Sequence, residues 1–159
     1  MSMPRLALAV ATLGGAGTVR PAPGTWGSIV AAALALIVIL VIPAAWVGGV
    51  MLAMAVAATL AGVLATPAAQ DRYGALDPGQ VVIDEAAGLW LALAVIPGAW
   101  VADRPLLAVL AALVAFRIFD IAKPWPIPVI ERLGGVWGVM LDDLLAGLLA
   151  GAVCAPLLA

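Results

Sequence analysis

Two apolar runs, Thr25 to Ile42 and Ala44 to Ala65, follow one another with only Pro43 between them and no charged side chain in either. A helix of roughly 17 to 25 mostly apolar residues is long enough to cross the hydrocarbon of a bilayer. Three further stretches have the same character, with charge confined to one end: Val81 to Val101, Pro105 to Ala122 and Val139 to Leu158. Ala and Leu dominate and alternation is absent, so the pattern is helical and not that of strands. The Pro- and Gly-containing segments "TPAAQDRYGALDPGQ", "PGAWVADRP" and "KPWPIPVIERLGGVWG" separate the later runs, as loops do.

Composition says the same. The chain of 159 residues is 66% hydrophobic and 10% charged, against about 25% charged in an ordinary soluble domain. A domain this small leaves much of its surface exposed, so lipid is the solvent that suits it. The expected architecture is all-α: a polytopic membrane helical bundle of about five transmembrane helices in a single domain, residues 1–159. "RLALAVATLGGAG" is a short apolar run behind Arg5 that flows into a Gly-rich loop. It is expected to form a short helix at the membrane interface and not a cleaved signal peptide.

Five spans put Arg5, Arg20, Arg72, Arg117, Lys123 and Arg132 on one side and Arg104 alone on the other. The positive-inside rule makes the first side cytoplasmic. Trp26, Trp46, Trp100, Trp125 and Trp137 lie near span ends, where interfacial anchors sit. The net charge of -2 and the lack of a basic patch with interleaved aromatics exclude nucleic acid as a partner. One cysteine, Cys154, allows no internal disulfide framework, and the absence of histidine removes histidine ligands and nucleophiles.

The acidic residues gather at the cytoplasmic ends of the predicted spans. Asp84 and Glu85 start the third, Asp120 lies near the end of the fourth, and Asp142 and Asp143 open the fifth. Acids at helix amino termini are ordinary caps and dipole partners, and for either adjacent pair alone capping is the better explanation. Asp120 is different, because a carboxylate near a helix carboxyl terminus is disfavoured. Arg117 and Lys123 flank it at i-3 and i+3, a spacing that allows an ion pair. Convergence of all five acids goes beyond what capping needs. In the fifth span the stripe Asp143–Gly147–Gly151 suits close helix packing and favours Asp143 as the inward acid, with Asp142–Ala146–Ala150 as the alternative.

Carboxylates without His or Cys select hard cations such as Mg²⁺, which keeps several waters and is shared with substrate phosphate. Arg20, Arg117 and Lys123 are then candidate phosphate-binding cations. In "PAPGTWGS", Pro21 to Ser28, the glycines allow close backbone approach, and Thr25 and Ser28 offer hydroxyls near a helix amino terminus.

The segments "PAPGTWGS", "VVIDEAAG" (Val81 to Gly88), "FRIFDIAKPWPI" (Phe116 to Ile127) and "GVWGVMLDDLLAG" (Gly135 to Gly147) occur in an order that resembles the phosphatidylglycerophosphatase A family across nearly the whole chain. The resemblance implies a Mg²⁺-dependent phosphatase of phospholipid biosynthesis. It would convert phosphatidylglycerophosphate to phosphatidylglycerol and phosphate in the bacterial cytoplasmic (inner) membrane. It also implies that Asp84, Glu85, Asp120, Asp142 and Asp143 hold the metal and do the chemistry, with Lys123 and Arg117 beside them. Glu85, Asp120 and Asp143 are the expected catalytic acids; Arg20, Thr25, Arg117 and Lys123 are the expected substrate contacts. A homo-oligomer is compatible with the sequence. The competing class is a small cation-binding transporter or channel, since intramembrane acids often mark ion pathways. The span middles carry no ionisable residue, which such a path would need.

Overall fold

The computed structural model describes residues 3–158, all helical or irregular with no strand among them. Eight α-helices form: α1 Met3–Ala11, α2 Pro23–Val41, α3 Val47–Tyr73, α4 Ile83–Val95, α5 Gly98–Asp103, α6 Pro105–Ala122, α7 Ile127–Glu131 and α8 Gly135–Leu158. Among the described residues, four helical segments are long and apolar enough to cross a membrane: Pro23–Val41, Ala44–Tyr73, Pro105–Ala122 and Gly135–Leu157. The expected helical membrane bundle is present, with four such spans where the sequence predicts about five.

The difference lies in Val81 to Val101. Helix α4 stops at Val95, Ile96 takes an extended conformation, and Pro97 precedes the separate short α5. At 1.5 Å per residue the 13 residues of α4 rise about 20 Å, short of the roughly 30 Å hydrocarbon thickness. This helix is the axis of the bundle. Ten of its residues are buried, among them Leu89, Trp90 and Leu93, and it packs against α2, α3, α6 and α8. It is apolar on all sides because protein surrounds it, not because lipid does. The outer helices carry the lipid-facing surface: Ile37 and Leu40 on α2, Leu60 and Leu64 on α3, Val114 and Ile118 on α6 and Val153 on α8 are exposed.

Small residues let the helices close on α4. A Cβ on Gly147 of α8 would run into the carbonyl oxygen of Gly88, and one on Gly151 would lie 2.7 Å from both the Ala92 oxygen and Val95 Cβ. These successive contacts make α8 run parallel to α4. Trp90 Nε1 donates to the Ala31 carbonyl at 2.9 Å, tying α4 to α2. Helix α1, the expected short amino-terminal helix, is too short to cross and packs on α3. At its last residue, the Ala11 carbonyl accepts the Val82 N–H at 2.9 Å, which fixes the chain entering α4.

Because α2, α4 and α8 start at one end of the bundle while α3 and α6 finish there, polar residues distant in sequence meet at that end. Arg104, beside Asp103 at the start of α6, lies at the other.

Candidate active site

A cleft of about 310 Å³ opens at this shared end. Pro23 and Gly24 of α2 line it, with Asp84 and Glu85 of α4, Asp120 of α6, Lys123 just after α6, and Asp142 and Asp143 of α8. Asp77 and Gly79 complete it from the α3–α4 loop. All five acids predicted from the sequence therefore reach one cavity. Of the predicted substrate contacts, Lys123 lines it, whereas Arg20 and Thr25 are exposed and do not. Arg117 lies behind the wall of the cleft, against Glu85 and Asp120.

Each acid has a distinct environment. Asp84 is in the first turn of α4, where the helix dipole favours a negative charge, and its Oδ1 accepts the Glu85 N–H at 2.9 Å. Glu85 Oε2 accepts the Ser28 hydroxyl at 2.8 Å, and Oε1 lies 3.4 Å from Arg117 Nη1. Asp120, two residues before the end of α6, faces the unfavourable pole of that helix. Arg117 Nη1 offsets this by donating to its Oδ2 at 2.6 Å.

Asp142 and Asp143 do not open α8: that helix begins at Gly135, two turns earlier. Capping is thus no explanation for either. Asp142 Oδ1 accepts the Asp143 N–H at 2.9 Å and its Oδ2 takes Lys123 Nζ at 3.0 Å. Asp143 is 5% exposed, and among the described residues its carboxylate has neither an ion pair nor a hydrogen bond. It shares a face with Gly147 and Gly151, which is the face that meets α4.

Lys123 departs from the helical i+3 pairing with Asp120 that the sequence suggests. It is the C-cap of α6 in the left-handed region, φ 41 and ψ 58, followed by Pro124. A non-glycine residue there costs conformational energy, and such strain concentrates at functional sites. The turn sends its ammonium to Glu131 Oε1 at 2.6 Å and to Asp142 instead. Partial burial lowers the Lys123 pKa, but the hydrogen bonds to Glu131 and Asp142 more than reverse this and hold it above the usual lysine range. The side chain is a permanent cation at neutral pH.

Sequence reasoning missed Asp77 and Glu131. Asp77 sits in "ALDPGQ", which reads as turn punctuation, and only the return of the chain to α4 brings it to the cleft. Glu131, at the end of α7, becomes relevant once Lys123 reverses direction.

Six carboxylates and one ammonium line the cavity. Among the described residues, no three acidic, His or Cys side chains already stand close enough to enclose a metal ion. Mg²⁺ does not require such a cage; it commonly binds through one or two carboxylates plus water and substrate phosphate. An all-oxygen donor set with excess negative charge and two uncompensated acids, Asp84 and Asp143, fits that mode.

The family model described as phosphatidylglycerophosphatase A matches residues 9–158. A protein of Bacteroides thetaiotaomicron, provisionally named a phosphatidylinositol-3-phosphatase, is 37% identical over 79% of this chain and 77% of its own. The phosphatidylglycerophosphatase A of Haemophilus influenzae is 35% identical over 86% of this chain and 78% of its own. The Escherichia coli protein of the same name is 38% identical over 50% of this chain and 44% of its own. No solved structure matches. With a family model covering residues 9–158 and two relatives at least 35% identical over more than three quarters of their own length, the chain belongs to the phosphatidylglycerophosphatase A family and is a phosphatase.

Proposed function

We propose that the protein hydrolyses phosphatidylglycerophosphate to phosphatidylglycerol and phosphate, using Mg²⁺ or a similar hard cation. The observation that carries this is the position of Asp84 and Asp143, buried, unpaired with any cation among the described residues, and facing a cleft at the ends of membrane-long helices. A lipid phosphate monoester lies at headgroup depth, so its acyl chains can stay in the bilayer while the phosphate enters such a cleft. Six of the seven basic residues belong to segments at this end, which supports a cytoplasm-facing site in the bacterial inner membrane.

Asp84 and Asp143, with Asp142 and Asp120 beside them, would hold the cation. When bound, it neutralises charge on the phosphoryl oxygens. Lys123 places a fixed positive charge at the cleft wall, where charge on the transferring group can be stabilised. Asp143, whose carboxylate has no hydrogen bond or ion pair among the described residues, has an oxygen to spare beyond one given to a cation and is the group best placed to take a proton from attacking water. Asp77, which lines the cleft, is itself exposed, so water can reach the site past it.

A cation channel is disfavoured by the same geometry. Among the described residues the charged groups sit toward the helix ends, and the middle of the central helix is Ala87–Gly88–Leu89–Trp90–Leu91–Ala92.

The test is phosphate release by the purified protein, comparing phosphatidylglycerophosphate with phosphatidylinositol-3-phosphate and phosphatidic acid. Wild type should prefer the first, and Asp120→Asn and Asp143→Asn should each lose at least about 100-fold while remaining folded. Unchanged rates in both variants would remove the proposed site; preference for the inositol lipid would reassign the substrate.

A further inference from the structure

We infer that the glycine-rich start of α2 is a clamp for the Glu85 carboxylate and not a cradle for substrate phosphate, which makes Glu85 a positioning residue. This role presupposes the phosphatase activity proposed above.

A phosphate cradle would use the volume a glycine leaves free to bring the ligand close to its backbone. At Gly24 and Gly27 the volume a side chain would take is already filled by protein. A Cβ on Gly24 would run into Glu85 Oε1; one on Gly27 would lie 2.5 Å from Val82 Cβ and 3.0 Å from Glu85 Oε2. Ser28, on the same face and 1% exposed, spends its hydroxyl on Glu85 Oε2 at 2.8 Å. Thr25 and Trp26 point outward and are exposed. The glycines are needed because a side chain at Gly24 would occupy the volume of the carboxylate and one at Gly27 would push on Val82 and crowd the same carboxylate.

Both Glu85 oxygens are therefore engaged, one by Ser28 and one beside Arg117. A general base needs a free lone pair directed at the water it activates; the Asp143 carboxylate has no hydrogen bond or ion pair among the described residues, whereas Glu85 is held by Ser28 and lies beside Arg117. What Glu85 does instead is orient Arg117. Nη1 of that guanidinium meets Glu85 at 3.4 Å, Ser28 Oγ at 3.5 Å and Asp120 at 2.6 Å. Three helices, α2, α4 and α6, are joined through this one nitrogen, and the Asp120 carboxylate is held in the cleft by it. Arg117 serves as the linking cation, while Lys123 is the cation that faces the cleft.

The experiment compares Gly24→Ala, Glu85→Asp, the double variant and Glu85→Gln with wild type. Each is assayed for kcat and KM on phosphatidylglycerophosphate in mixed micelles with Mg²⁺, for the pH profile of kcat/KM, and for thermal unfolding. At Gly24 the new methyl meets the end of a side chain and not backbone, so folding should survive. The displaced carboxylate should lower kcat by about 100-fold, the cost of a misplacement near 1 Å, with KM within about threefold. Glu85→Asp shortens the acid and should lose comparably. Because both changes disturb one contact, the double variant should lose no more than the worse single one. Glu85→Gln should lower the rate and leave the shape of the pH profile unchanged.

A raised KM with kcat retained in Gly24→Ala would restore the phosphate cradle. Multiplying losses in the double variant, or disappearance of the acidic limb in Glu85→Gln, would overturn the positioning role. If wild type releases phosphate from none of the lipids, the proposed activity fails separately. The clamp is then judged by unfolding of Ser28→Ala, Glu85→Gln and their combination, where additive losses would refute it and non-additive losses support it.

Discussion

Replacing Gly147 by Ala adds a single methyl group at the seam between α4 and α8. The new carbon would overlap the Gly88 carbonyl oxygen and stand 2.6 Å from its carbon and 2.9 Å from its Cα. All three are backbone atoms of a buried helix, so no flexible side chain can yield. Ordinary contact begins near 3.4 Å, so the 2.6 Å approach to the carbon alone must open by about 0.8 Å (3.4 − 2.6), and relieving the overlap with the oxygen demands more. Overpacking of a tight core costs about 1–3 kcal/mol. A rigid backbone on the receiving side puts this case toward the upper end. Asp143 lies one turn before Gly147 on the same face of α8, so it should move away from Asp84 with the helix. A misplacement of about 1 Å at a reacting group can cost about 100-fold in rate. Gly49→Ala is the control: a Cβ there would meet nothing within 4 Å, and the residue sits at the far start of α3. Phosphate release and thermal unfolding in the same detergent should show Gly147→Ala impaired in both and Gly49→Ala in neither. A Gly147→Ala protein with wild-type unfolding and rate would refute the packing argument.

Lys123→Met should remove the tie between Glu131 and Asp142, lower stability by about 1 kcal/mol for so accessible a group, and reduce phosphate release far more; equal rates would exclude Lys123 from the chemistry. Lys123 has a folded pKa raised above its unfolded value, so its stabilisation is complete below the unfolded value near 10.4 and is lost only as pH rises through the folded one. The Lys123→Met stability deficit should therefore be the same at pH 7 and pH 9 by thermal unfolding, and a deficit that shrinks by pH 9 would contradict this sign. Trp90→Phe removes the indole donor from the Ala31 carbonyl, which keeps its helical partner within α2, and should cost about 1 kcal/mol, read as a lower unfolding temperature. Arg104→Ala breaks only an exposed pair at the opposite end and should change neither stability nor rate.

The membrane helices were legible because lipid imposes a length and a composition that α2, α3, α6 and α8 meet residue by residue. Helix α4 meets the composition for another reason. A helix enclosed by four others is as apolar as one bathed in lipid, and only its length, cut by Ile96 and Pro97, tells them apart. The acids were legible as a set because they lie toward the same end of α4, α6 and α8, even though Asp142 and Asp143 sit two turns inside α8. Their individual environments were not. The φ of 41 at Lys123 is set by the reversal into Pro124 and α7, and no local propensity marks a lysine for that conformation. The two turns of α8 before Asp142 are Gly135–Val136–Trp137–Gly138–Val139–Met140–Leu141, whose glycines look like loop until the helix is seen to run through them. Pairing across fifty or more residues, such as Ser28 with Glu85, is decided by which helices are neighbours, which a one-dimensional pattern does not contain.

The measurement that bears hardest on a cation-dependent cleft is the rate of phosphate release from phosphatidylglycerophosphate as free Mg²⁺ is varied, for wild type and Asp143→Asn in parallel. Wild type should fall to background after chelation and recover saturably as Mg²⁺ is restored, while Asp143→Asn stays near background at every concentration. Full wild-type activity in the presence of excess chelator, or normal Mg²⁺ activation of Asp143→Asn, would show that these carboxylates do not assemble a metal-dependent site.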